Sequence, residues 1–124
     1  MQMIPTKRID HLERLLEVVR GLTTAPDLES FLQTVISEAS EMTDSELASI
    51  LEYDDAAKEL RFLAMQWFDR DLLRPMGVPL EGSAAGWVYR KGQNLIIQDT
   101  KVDQRHFKTV DRVTKHTTHS LAAV

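Results

Sequence analysis

The sequence predicts an α+β domain, and three observations predict it. Two segments with helical apolar spacing open the chain, two apolar extended runs joined by a short polar connector follow, and a third helix bounded by Ser and Gly lies among further extended pieces. The 124 residues suit one hydrophobic core. With 43% hydrophobic and 27% charged residues, the composition fits neither a disordered nor a low-complexity chain.

Residues 6–22 lay Ile9, Leu12, Leu15, Leu16, Val19 and Leu22 along one stripe of a helix, with Thr6 placed to cap it and Gly21 to end it. The other face carries Arg8, Asp10, Glu13, Arg14, Glu17 and Arg20. Such mixed charge reads as a solvated surface, or as the flank of a paired-helix dimer seam built on the near-heptad Ile9, Leu12, Leu16 and Val19. After Pro26, Asp27 reads as the N-cap of a second helix with Leu28, Phe31, Leu32, Val35, Ile36, Ala39 and Met42 on one side. The two helices are expected to pack on each other and on a sheet.

Residues 47–53 and 59–67 read as two strands of a hairpin joined by residues 54–58, hence antiparallel. Both runs are apolar nearly throughout, as expected of a sheet covered on two faces. Residues 68–77 read as a loop, and Val78-Pro79-Leu80 as a short edge piece, because Pro suits an edge. Ser83 caps and Gly92 ends a helix over residues 84–91. Gly86 in it either lets a ligand or another backbone come close, or relieves packing against the sheet. Residues 94–98 form another strand, residues 99–118 carry no clear period, and residues 120–124 look like a strand that has just begun.

Composition excludes several functions. The net charge is −4 and the basic residues are scattered, so a nucleic-acid footprint is not expected. Zero cysteines remove disulfides, thiolate metal sites and cysteine nucleophiles, and point away from secretion. No apolar run is long enough to span a bilayer, and Met1-Gln2-Met3-Ile4-Pro5 lacks the order of a signal peptide. A cytoplasmic location with no membrane partner is the expectation.

The ordered set Val78-Pro79-Leu80, Gly82-Ser83, Ala85-Gly86-Trp87-Val88, Gly92 and Ile97-Gln98-Asp99 continues into Asp103, Arg105, Phe107, Asp111, Thr114, Thr118 and Ser120-Leu121. It resembles the GAF domain family of small-molecule sensors, from the first helix to the last residue. The resemblance implies a GAF/PAS-like antiparallel sheet with the N-terminal helix pair on one face. On the other face it implies a ligand pocket, under a lid made of the Ser83 helix and residues 99–118. It implies ligand contacts from Ser49, Met65, Gln66, Ala84, Ala85, Phe107, Asp111, Thr114 and Thr118. Ala84 and Ala85 would act through main-chain amides at a helix N-terminus, Phe107 by stacking, and the polar side chains by hydrogen bonds. Asp111 and the threonines could equally stabilise turns, and Phe107 could plug the core.

Phe107 and Asp111 with Arg112 are a fragment of the fuller loop signature of cyclic-nucleotide-binding members, which leaves the ligand class and any cofactor undefined. The absent Cys excludes covalent bilin attachment, while a noncovalent haem could use a histidine. His116 and His119, with His106 and Asp99 or Asp103, could supply metal ligands only if they converge, and residues three apart on a strand point to opposite faces. Solvent-facing histidines are therefore expected, and no metal. Asp99, Asp103, His106 and Asp111 are candidates for acid/base chemistry by residue type alone, and the GAF-fold methionine sulfoxide reductases rely on cysteines, so no enzyme activity is expected.

The expected function is a regulatory sensor domain of a sensor kinase, cyclase or transcription regulator, homodimeric and coupled to an output domain; the alternative is a ligand-free dimerisation and relay module. Relative to the family pattern, residues 1–124 form a single domain whose final strands and closing helix are absent, with unpaired strand edges exposed as a consequence.

Overall fold

Two helices lead the computed structural model, which describes residues 6–24, 26–66, 75–115 and 117–124. The order is α1 (Thr6–Thr24), α2 (Leu28–Met42), β1 (Ser49–Asp54), β2 (Glu59–Met65), β3 (Gly77–Val78), α3 (Ala84–Lys91), β4 (Leu95–Ile97), α4 (Thr109–Thr114) and β5 (Leu121–Ala123). The chain divides into two compact units. One holds the described chain up to Ile50 with the end of β2 from Ala64; the other holds Leu51–Leu63 and the described residues of Phe68–Val124.

In the first unit, α1 continues to Thr24, past the expected stop at Gly21. The hydroxyls of Thr23 and Thr24 both donate back to the Arg20 carbonyl, at 2.9 and 3.4 Å, within the last turn. The apolar stripe of α1 does not meet α2. The half-buried residues His11, Arg14, Val18 and Gly21 form the stripe on that side, where Arg14 reaches Glu41 at 2.9 Å and Glu38 at 3.8 Å. Each of these positions is two residues on from Ile9, Leu12, Leu16 and Val19, about 200° around a helix, so the apolar stripe faces the other way and is exposed.

The start of α2 is as the sequence predicts. Asp27 is extended (φ −156°) and its carboxylate accepts the Ser30 amide at 2.6 Å. At the other end the Thr43 amide and hydroxyl donate to the Ala39 carbonyl, at 3.1 and 2.7 Å. Ile36 and Ser40 are buried on α2, and Ala64 and Met65 are buried at the end of β2.

The hairpin is present, with β2 in the middle of a three-stranded sheet β1-β2-β3. Its turn is held by Asp54, whose Oδ1 accepts the amides of Ala56 and Ala57 at 3.0 and 3.2 Å. The expectation of strands covered on both faces is corrected. Leu60, Phe62 and Ala64 are buried while Arg61 and Leu63 are half-buried, so β2 alternates as a one-sided strand does. The edge strand β3 pairs antiparallel with β2, Leu60 opposite Val78, and ends before Pro79, which has no amide hydrogen to extend the ladder.

β4 and β5 form a separate antiparallel pair, with Leu95 opposite Ala123 and Ile97 opposite Leu121. The described strands thus make two small antiparallel sheets. Ala84, Leu95 and Ile97 are the buried centre of the core beneath α3, with Trp87, Val88 and Leu121 packed around them.

Candidate functional site

The roof helix α3 is set by two residues. Ser83 is extended (φ −136°), and its buried hydroxyl accepts the Gly86 amide at 2.9 Å while donating to the Pro79 carbonyl at 2.5 Å. At Gly86 it is another backbone, that of Leu80, that comes close. A Cβ there would lie 2.2 Å from the Leu80 carbonyl oxygen and 2.5 Å from its carbon. Arg90 Nε donates to the same oxygen at 2.8 Å. Gly92 closes the helix in the left-handed region (φ +63°), its amide donating to Val88 at 2.8 Å. Tyr89 of α3 stacks on Tyr53 of β1, ring centres 5.0 Å apart.

The segment after β4 is more ordered than its lack of period predicts. Thr100 is buried; its amide donates to the His119 carbonyl at 2.9 Å and its hydroxyl donates to the Thr118 carbonyl, which ties the two ends of the segment together. Between them lies the short helix α4, ended by Lys115 in the left-handed region (φ +56°). That turn brings Thr118 back to Asp111. Oδ1 accepts the Thr118 hydroxyl at 2.7 Å, and Oδ2 accepts the Thr118 amide at 2.9 Å and lies 3.1 Å from His106 Nε2.

Burial alone would push the Asp111 carboxyl up, but the Thr118 amide and hydroxyl and the His106 ring together bring it below its ordinary value. Asp111 is therefore ionised at neutral pH and can only accept, so Nε2 of His106 carries the proton that the contact needs. The expectation of solvent-facing histidines fails for His106, whose side chain is only 8% exposed, and holds for His119.

A second polar group sits in the same unit. Asp103 Oδ1 accepts the Arg105 amide and Nε at 2.9 and 3.0 Å, and Oδ2 accepts the other end of the guanidinium at 2.8 Å. The Arg105 side chain and amide hold the Asp103 carboxyl down to about 2, and Asp103 in turn raises Arg105. The guanidinium carbon of Arg105 lies 5.2 Å from the centre of the Trp87 ring on α3, a cation–π contact that ties loop to helix.

The predicted ligand residues fall into both units. In the first, Ser49 is exposed at the start of β1, Met65 is buried, and Gln66 uses its side-chain oxygen to accept the Ala48 amide at 3.1 Å. In the second, Ala84 is buried and Ala85 half-buried in the first turn of α3, Phe107 is half-buried, and Thr114 is the last residue of α4. Asp111 and Thr118 are brought into direct contact. His106 and Thr100 join this constellation although the resemblance does not mark them, and Arg105 and Trp87 belong to the second group, for which the Asp103-Gln104-Arg105 spacing is a partial sequence signal. An open surface hollow lined by Ile96, Asp99, Val102 and Gln104 contains none of the predicted residues. Among the described residues no three His, Asp or Glu side chains cluster as metal ligands, and His116 lies outside those residues.

The chain matches the GAF domain family over residues 25–124. It belongs to the GAF domain family. Solved structures agree on the fold. The GAF domain of a phosphoenolpyruvate-protein phosphotransferase from Coxiella burnetii superposes with a TM-score of 0.79 at 16% identity, covering 95% of this chain and 69% of that one. The corresponding GAF domain from Acinetobacter gives 0.69 at 13% identity, over 84% of this chain, which spans 63% of that structure's length. A segment of a methyl-accepting chemotaxis protein gives 0.65 at 18% identity, over 89% of this chain and 71% of that one. No curated protein matches the sequence. No helix among the described residues is long and apolar enough to cross a membrane.

Proposed function

We propose that this GAF domain is a small-molecule-sensing regulatory module of a signal-transduction protein, with no catalysis of its own, in which the lid formed by α3 and residues 99–118 closes on a ligand. The observation that carries this reading is the Asp111 cluster. A carboxylate held ionised by Thr118 and His106 closes the segment on itself, and a ligand that takes over either contact would bind the latched and unlatched arrangements with different affinity. That difference is the energy a sensor passes to an output domain. Family membership supports it, as does the likeness to a GAF domain of a protein named for phosphotransfer and to a segment of one named for chemotaxis. The remaining predicted contacts of the same unit, Ala84, Ala85, Phe107 and Thr114, belong to the same proposal.

The test is a thermal-shift screen against nucleotides, haem, nitrate and small carboxylates, run on the wild type and on Asp111→Ala. A ligand of the folded state at 100 times its Kd adds about 2.7 kcal/mol and raises the melting temperature by several degrees. The expected result is a shift with one chemical class that shrinks in the variant. No shift with any class would replace sensing by ligand-free relay.

A further inference from the structure

The geometry points to the outward face of α4 as a docking surface for an acidic helix of a partner protein, held by Lys108, Arg112 and Lys115. Charge is unevenly placed along this chain: residues 1–60 carry thirteen acids and five bases, residues 61–124 six acids and ten bases. Five of those ten bases lie in residues 101–115, and the two acids among them are already engaged. Asp103 holds Arg105, and Asp111 is turned to Thr118 and His106. Lys108, Arg112 and Lys115 are exposed and form no ion pair with another described residue.

The three cations share one face. The Arg112 amide donates to the Lys108 carbonyl at 3.2 Å, and a helical turn of about 100° per residue puts all three within about 60° of one another around α4. Two of them do little for their own helix. Lys108 sits at the N-cap, where it makes no side-chain cap bond and adds positive charge to the positive end of the dipole. Lys115 takes the left-handed conformation (φ +56°) that glycine or asparagine adopts at less cost. Residues that break local preference in this way mark surfaces put to use.

Charge and spacing select the occupant. The cations are spread along about 10 Å instead of converging on one point, so they suit three separate carboxylates and not a single phosphate. A partner helix run antiparallel, with carboxylates at i, i+3 and i+7, faces Lys115, Arg112 and Lys108 in turn. An anionic membrane is recognised by about four to eight clustered bases, and nucleic acid by a comparable number of phosphate contacts. Three bases on a chain of net charge −4 fall short of either. The inference rests on α4 alone and is independent of the ligand reading above.

The test is fluorescence anisotropy of a labelled alanine-based helical peptide with glutamates at i, i+3 and i+7, titrated with the full chain at low salt. A peptide of the same composition with its glutamates spread around the helix, a random-sequence DNA duplex and phosphatidylcholine–phosphatidylserine vesicles are titrated alongside. The striped peptide should bind most tightly, and binding should weaken as salt rises. Lys108→Gln, Arg112→Gln and Lys115→Gln should each weaken it about two- to fivefold, the effect of losing one exposed ion pair, while Lys108→Arg keeps it. Lys91→Gln removes the same charge from an exposed residue of α3 and should change nothing, with circular dichroism as the check that each variant folds. Equal binding of the two peptides, an equal loss from Lys91→Gln, preference for the duplex or the vesicles, or no binding at all would each overturn the inference.

Discussion

Asp111 and Thr118 are joined twice, the Thr118 amide reaching Oδ2 at 2.9 Å and its hydroxyl reaching Oδ1 at 2.7 Å, across seven positions of the chain. The left-handed Lys115 makes the reversal that permits it, and buried His106 holds the carboxylate from a third direction. Such a carboxylate acts as a knot in a segment that otherwise has little regular structure.

Removing the knot should be costly. Asp111→Ala leaves the Thr118 amide, its hydroxyl and the His106 ring without their acceptor, and charge-assisted bonds of this kind contribute on the order of 1.5–3 kcal/mol each when lost singly. Because Thr118 can partly turn to water, the expected loss is about 2–3 kcal/mol by urea unfolding. Asp111→Asn keeps one oxygen acceptor and should lose less. Equal stability of Asp111→Ala and wild type would show that the knot is idle.

Two glycines in helices should respond to alanine with opposite signs. At Gly86 the new Cβ would meet the backbone oxygen, carbon and Cα of Leu80 at 2.2, 2.5 and 2.6 Å, and backbone cannot rotate out of the way. Overpacking of about 1–3 kcal/mol outweighs the roughly 1 kcal/mol that alanine gains in a helix. At Gly21, inside α1, nothing lies within 4 Å, so only the propensity gain is left. Gly86→Ala is expected to lower the melting temperature and Gly21→Ala to raise it; a stabilised Gly86→Ala would mean that the Leu80 backbone and α3 separate easily.

How much of this was legible in the sequence depends on the range of the cause. Asp27, Ser83 and Gly92 announce helix ends because each acts on an amide or carbonyl three or four residues away. Leu95–Ile97 and Leu121–Ala123 are legible as apolar runs, and Val78 as part of an edge piece, although that piece is Gly77–Val78 and does not run on through Pro79-Leu80. The side of α1 that meets α2 is not, since its stripe has Val18 as its one large aliphatic side chain and is held by an ion pair that a hydrophobic reading passes over. Nor is α4, whose six residues are too short to show a period. The Asp111 cluster is half legible. The family pattern marks Asp111 and Thr118, but it does not mark His106, which meets Asp111 across the start of α4.

Acid should weaken the fold in a narrow window. Asp103 is held down to about 2 by the Arg105 side chain and amide, and Asp27 and Asp111 are also lowered, the first by the Ser30 amide, the second because Thr118 and His106 outweigh burial. In the unfolded chain these groups return to about 3.9, so over this range the unfolded state binds more protons. Their contribution is fully present above pH of about 4 and is lost as pH falls toward about 2. Urea midpoints followed from pH 7 to 2 should hold steady and then drop. Asp103→Asn should flatten that drop, and an unchanged acid limb in this variant would remove Asp103 from the account.

The two serine and aspartate caps offer a comparison in which burial is the variable. Asp27 caps α2 in solvent, where water can replace the lost acceptor for the Ser30 amide. Ser83 caps α3 while buried, and its hydroxyl also donates to Pro79, so Ser83→Ala strands an amide and a carbonyl that water reaches poorly. A capping loss of about 1 kcal/mol plus the penalty for unpaired buried groups puts Ser83→Ala at roughly 2–3 kcal/mol, well above Asp27→Ala. The deeper consequence concerns α3 itself. Its first turn carries Ala84 and Ala85 in the proposed lid, so local loosening should appear as faster amide exchange over residues 84–91 while α2 stays protected. If Ser83→Ala instead lowers protection evenly along the chain, α3 unfolds only with the whole domain, and a lid that moves separately would have no physical basis.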